Sequence, residues 1–264
     1  LDLGCDLVVH SGTKFFSGHA DTMGGIVLTR DPELEQQIAF FQNAEGSALA
    51  PFDCWLFLRG IKTLGLRLER QNANACAVAQ FLADHPLVKK IYWPGKELLG
   101  HPKSGLSDDA IQLHMQQTTT DGGCSLISFE TGDVQLSQRF VEACKILKIT
   151  VSFGSVNSLV EMPTAMSHAS IPAELCTLPK DLVRMSCGIE DVRDIQADIA
   201  QALQLASRET LATIDAPKVL WGGDVKREKS FSDSVAEDGI SDMGNGTGSG
   251  RFDSKFEDLP VTPK

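Results

Sequence analysis

Short apolar runs bounded by glycine and polar clusters alternate with amphipathic stretches along most of this chain. Residues 6–9, ending in Leu7-Val8-Val9, predict a buried strand, and Ile26-Val27-Leu28 predicts a second. Leu34, Ile38 and Phe41 recur at helical spacing over residues 33–41. From Phe52 a longer helical pattern runs through Leu56, Ile61, Leu64 and Leu68 into the alanine-rich stretch 73–82. Asp53 is its expected N-cap and Pro86 its stop, with a bend at Gly60 or Gly65. Beyond it, residues 88–93, 124–129, 149–153 and 182–185 read as strands, and 134–147 and 192–205 as helices. Residues 94–120 are polar and irregular, which predicts a surface loop. Alternation of this kind predicts an α/β or α+β layer structure.

The last fifty residues break the pattern. They are rich in charge and glycine, as in Gly244-Asn245-Gly246-Thr247-Gly248-Ser249-Gly250, and predict a disordered tail over 211–264. The chain begins at Leu1 without methionine and reads as strand almost at once, so a preceding segment is expected.

With 264 residues and 42% hydrophobic content, the chain can bury a sizeable core. The net charge of −11 argues against general nucleic-acid binding, which rests on basic patches. No apolar run approaches the roughly 20 residues of a membrane span. Seven dispersed cysteines without a CxxC pair predict reduced thiols, not a disulfide framework or a zinc site. Cys54, Cys76 and Cys144 read as small core residues.

Chemistry concentrates in residues 10–25, HSGTKFFSGHADTMGG. Lys14 follows a strand and is flanked by Ser11 and Thr13, two hydroxyls able to hold a phosphate. A lysine so placed suits Schiff-base chemistry with a carbonyl cofactor. Arg184 lies in the apolar stretch 182–185, where a buried guanidinium needs an anionic partner and its fork suits a carboxylate. His10, His19 and His168 lack metal-ligand spacing and an accompanying acidic or thiol cluster, so no metal site is expected. Glu45, Asp53 and Arg59 are expected to cap and brace the long helix or a subunit contact.

The string His10-Ser11-x-Thr13-Lys14, with Ser17-Gly18-His19, Asp21 and Gly24-Gly25, resembles the signature of the Cys/Met-metabolism family of pyridoxal-phosphate enzymes. The resemblance continues through Phe41-Gln42-Asn43-Ala44-Glu45-Gly46-Ser47, Leu49 to Leu56 and Leu58-Arg59-Gly60-Ile61-Lys62-Thr63-Leu64. It extends to Val151-Ser152-Phe153-Gly154-Ser155-Val156, Met166 to Pro172 and Leu182 to Asp191, covering roughly residues 1–207. Within the family, the wording around Asn43 to Ile61 and Val151 to Val156 is nearest the plant-type β-lyases.

This resemblance implies a fold type I α/β enzyme of the aspartate-aminotransferase-like class with pyridoxal 5'-phosphate as cofactor. It assigns Lys14 as the cofactor-bound, proton-shuttling lysine and Ser11 and Thr13 as phosphate ligands. Arg184 would bind the substrate carboxylate, Ser152 would lie beside it and Phe153 would line the pocket. Residues 1–52 would end the large cofactor domain, and 53–210 would form a linking helix and the smaller C-terminal α/β domain. The implied reaction is β-elimination of L-cystathionine to homocysteine, pyruvate and ammonia, in methionine synthesis. γ-Synthase and γ-lyase chemistry are the near alternatives, and a non-catalytic homologue the distant one. A homodimer or homotetramer in the cytoplasm or a plastid is implied. The family's cofactor-stacking tyrosine and its pyridinium-pairing aspartate belong upstream of Leu1, so this piece alone is expected to be inactive.

Overall fold

The computed structural model describes residues 1–118, 123–167 and 175–215, with side chains through 208. These lie within one compact unit, Leu1–Pro217. His168 and the tail from 216 onward lie outside the described residues.

Two sheets organise the chain. Strands β1 (Leu7–Ser11) and β2 (Gly25–Thr29) pair antiparallel, with Val9 opposite Val27. Between them Gly12–Phe16 forms a π-type turn broken at Lys14, whose backbone sits at φ −85°, ψ −120°. Helix α1 (Pro32–Ala44) follows, capped by the Asp31 carboxylate, which accepts from the backbone N–H of Glu33 and Leu34. The predicted burial of the first strand does not hold. Val9 is 72% exposed, and α1 buries no residue. The physical reason is that the described residues supply neither further strands nor a buried helix face to build a core against this two-stranded ribbon.

The long helical pattern resolves into α2 (Pro51–Ile61) and α3 (Leu64–Asp84). The break falls at Lys62 and Thr63, between the two glycines expected to bend it. Asp53 is not the N-cap. Ala50 holds that position and Pro51 starts the helix, a place where proline's missing N–H costs nothing. The Asp53 carboxylate instead accepts a 2.8 Å hydrogen bond from the Thr22 hydroxyl, which ties α2 to the lysine loop. Helix α3 ends at Asp84, just before Pro86.

The second sheet is mixed, in the order β3-β4-β7-β6-β5. Its strands are β3 (Lys90–Tyr92), β4 (Leu126–Glu130), β5 (Lys148–Ile149), β6 (Leu159–Glu161) and β7 (Leu182–Ser186). All its pairings are antiparallel except β5 with β6. Period-two alternation gives it two unlike faces. Ile91, Ile127, Phe129, Val160, Val183 and Met185 point into a core shared with α3, α5 (Val134–Ala143) and α6 (Val192–Asp215). The opposite face carries Ser128, Glu161, Arg184 and Ser186, in register across β4, β7 and β6. The stretch read as a loop over 94–120 contains helix α4 (Asp108–Gln117), capped by the Ser107 hydroxyl. Its periodicity is faint because Ile111 is its one buried residue.

Helix α6 extends to Asp215, into the stretch read as tail. Its Asp198 is 4% exposed and accepts from the backbone N–H of Lys145, Ile146 and Leu147, so the turn after α5 hangs on one carboxylate. Asp198 also joins burial in raising the Cys144 thiol, which is pushed up to about 12. Cys54, Cys76 and Cys144 are only partly buried, and the core cysteine is Cys187.

Candidate active site

Lys14 and Arg184 come from opposite ends of the sequence, and a short loop joins them. Lys14 Nζ donates a 2.6 Å hydrogen bond to Ser152 Oγ, across 138 residues. The next residue, Phe153, is 6% exposed, and the Arg184 guanidinium carbon lies 4.9 Å from its ring centroid. The loop itself lies on the lysine backbone. A Cβ at Gly154 would stand 2.9 Å from Phe15 N and 3.0 Å from Lys14 C, and Gly154 holds φ +122°. Only glycine meets both conditions.

The lysine turn is held from several sides. Gly12 N and Thr13 N both donate to Gly24 O, at 2.8 and 3.3 Å, and Gly24 N donates back to Thr13 Oγ1 at 3.1 Å. The Thr13 hydroxyl proton is therefore still available to a ligand. Ser11, at the exposed end of β1, makes no hydrogen bond through its hydroxyl among the described residues. An amine with one soft partner and two hydroxyls with free protons are the donor set a phosphorylated aldehyde requires, and these residues fit pyridoxal phosphate.

Helix α3 fixes the rest through three buried polar side chains. Arg67, 5% exposed, donates from Nη1 to Phe15 O at 2.9 Å. Its Nη2 donates to Phe16 O and Gly60 O, and its Nε to the Thr63 hydroxyl. Burial lowers its pKa from the usual arginine value. One turn on, Gln71 donates to Ser155 O at 2.8 Å. Asn74 donates to Gly188 O and Glu190 O, just past β7. None of the three stood out in the sequence. Their signal was polar residues at positions 67, 71 and 74 on the face of a helix otherwise buried by alanine, valine and leucine.

Arg184 is not buried, as its setting in the sequence suggested. Its side chain is 38% exposed, and Nη1 stands 3.4 Å from Glu161 Oε1, an acid 2% exposed. Among the charges braced elsewhere, Arg59 lies over the Trp55 ring at 5.9 Å, and Glu45 closes α1. The His10 ring packs against Phe16, and His19 Nδ1 stands 2.6 Å from Ser17 O. Among the described residues, no group of three or more His, Cys, Asp or Glu is placed to hold a metal ion. Nor is any of their helices long and apolar enough to cross a membrane.

The sequence profile described as Cys/Met metabolism PLP-dependent enzyme matches residues 1–204. A chloroplastic cystathionine beta-lyase of Arabidopsis thaliana is 50% identical over 202 residues, which are 75% of this chain and 41% of that protein. A cystathionine beta-lyase of Neurospora crassa is 44% identical over 218 residues, 81% of this chain and 45% of the relative. The chain thus spans less than half the length of these two curated relatives. Among solved structures, the cystathionine gamma synthase of Xanthomonas oryzae pv. oryzae in complex with cystathionine superposes with a TM-score of 0.71 at 35% identity. That match covers 78% of this chain and 52% of the other.

Proposed function

The chain belongs to the Cys/Met metabolism family of PLP-dependent enzymes, and from that premise we propose that it carries the reactive lysine and carboxylate clamp of a carbon–sulfur lyase acting on L-cystathionine. The observation that carries this reading is the contact chain Lys14–Ser152–Phe153–Arg184, which sets an amine and a guanidinium around one loop. In the proposed arrangement Lys14 holds the cofactor covalently and Ser11 and Thr13 hold its phosphate. Pyridoxal phosphate supplies an electron-accepting ring for the charge left when the substrate Cα loses its proton. Once the substrate's amino group had displaced it from the cofactor, Lys14 Nζ would take that proton, with Ser152 Oγ orienting the freed amine. Arg184 binds the α-carboxylate through its fork, and Phe153 walls the pocket. The Cβ–S bond breaks and sulfur leaves as a thiolate that takes up a proton to become homocysteine, while water hydrolyses the remaining three-carbon piece to pyruvate and ammonia.

β-Elimination is preferred because the relatives at 50% and 44% identity are cystathionine beta-lyases. γ-Chemistry is the second reading, favoured by the likeness to a cystathionine gamma synthase. A non-catalytic homologue is disfavoured by the hydrogen-bonded Lys14 and the half-exposed Arg184. In this proposal residues 1–52 end the cofactor domain, and 53–210 form the linking helices and smaller domain. A homodimer or homotetramer in the cytoplasm or a plastid is the proposed setting.

Product analysis of the full-length protein with L-cystathionine and pyridoxal phosphate tests the assignment. Pyruvate with homocysteine is expected. 2-Oxobutyrate with cysteine would move the chemistry to γ-elimination.

A further inference from the structure

On the polar face of the five-stranded sheet, Glu161 of β6 is the cross-strand partner of Arg184 of β7. Its side chain is only 2% exposed. Oε1 accepts from Arg184 Nη1 at 3.4 Å, and Oε2 is buried with no hydrogen-bond partner. A buried carboxylate satisfied through one oxygen is a poor stabilising device. An apolar side chain of similar volume would serve folding as well or better. The strand could accommodate one, since Leu159 lies on the same face and is 6% exposed. A role beyond folding is therefore called for.

The guanidinium geometry supplies it. Arginine's N–H donors lie in the guanidinium plane, along a side-on Nε/Nη2 edge and an end-on Nη1/Nη2 edge, while its faces stack on aromatic rings. In Arg184 Nη1 is engaged by Glu161, and one face by the Phe153 ring at 4.9 Å. Nε and Nη2 make no hydrogen bond among the described residues. These two nitrogens form the side-on edge, which binds a carboxylate bidentately.

We propose that Glu161 is a positioning residue for Arg184: it occupies Nη1 and so turns the Nε/Nη2 edge toward the carboxylate of an α-amino acid. Glu161 does not itself touch the ligand. Edge and face are both fixed before the ligand arrives, so less orientational freedom is lost on binding. This inference rests on the reading of Arg184 as the carboxylate clamp.

The test is calorimetric binding to the full-length protein loaded with pyridoxal phosphate. The probes are 2-aminoisobutyrate, which has no Cα hydrogen to lose, and its carboxamide, 2-aminoisobutyramide. The unsubstituted protein is expected to bind the acid at least about tenfold tighter than the amide. Equal binding of the two would remove the clamp reading itself, and the proposal with it. Given that preference, Glu161→Ala is expected to weaken the acid about tenfold and leave the amide unchanged. Glu161→Gln keeps an acceptor oxygen without the charge, and is expected to weaken the acid by about threefold. Should Glu161→Ala fail to fold, the near-isosteric glutamine variant decides alone. A folded variant that binds the acid as tightly as the unsubstituted protein, or more tightly, overturns the proposal. Tighter binding would mean that Glu161 merely competes for the guanidinium charge.

Discussion

Ser152 Oγ accepts a 2.6 Å hydrogen bond from Lys14 Nζ while its own backbone sits at φ 76°. A serine in the left-handed region carries strain that a glycine would not. The strain and the hydrogen bond can therefore be separated by two substitutions. Ser152→Ala keeps the strain and loses the acceptor. Ser152→Gly loses the acceptor and releases the strain. Both are expected to lower turnover of the full-length protein about tenfold through misdirection of the amine. The glycine variant should be more stable than the alanine variant by about 1 kcal/mol, read from thermal midpoints. Equal midpoints would show that φ at 152 stores nothing.

Lys14→Ala should remove any cofactor fixed by borohydride reduction and mapped by peptide mass spectrometry. Turnover of the full-length protein should fall on the order of 10³-fold. Stability should barely move, because the one hydrogen bond lost is exposed. A reduced cofactor adduct persisting on another residue would displace Lys14 from its assigned role.

Arg67→Ala leaves the carbonyls of Phe15, Phe16 and Gly60 short of their shared donor. The expected loss is about 2–4 kcal/mol, seen as a lower urea midpoint. Arg67→Lys should recover only part of it, since one ammonium cannot span three carbonyls set around a planar fork. Full recovery by lysine would mean that charge alone matters there.

His85 gives the fold an acid-side sensitivity. Its pKa lies below the usual histidine value, first because of burial and then because of Lys103. The ring accepts from Leu87 N through Nδ1, and protonation removes that acceptor. The unfolded chain binds the proton more readily, so stability rises with pH between the folded value and about 6.5. The contribution is complete above that window and lost as pH falls through the folded value. His85→Asn should flatten this part of the stability–pH curve, measured by urea denaturation at stepped pH.

The candidate site's lysine and arginine were more legible in the sequence than the scaffold around them. Lys14, Thr13 and Arg184 stand out because reactive side chains sit beside strand-forming runs. Strand β6 escaped notice because Leu159-Val160-Glu161 is too short to show alternation, and with it went Glu161. Arg67, Gln71 and Asn74 went unremarked, since a linear pattern does not reveal which loops return to cover polar positions on a helix. The exposure of β1 was unreadable for a related reason. An apolar run states that burial is wanted, not that a covering face is supplied by the same residues.

The ladder of Arg67, Gln71 and Asn74 makes α3 the common datum of the candidate site. The lysine turn, the Ser152 loop and the segment after β7 are each gauged against the same rod, not against one another through the intervening chain. Errors of placement therefore do not accumulate along the sequence. The excursion that holds α4 is tied to none of the three rungs, so it can lengthen or shorten while the reactive groups keep their spacing. Variation in chain length is best absorbed there.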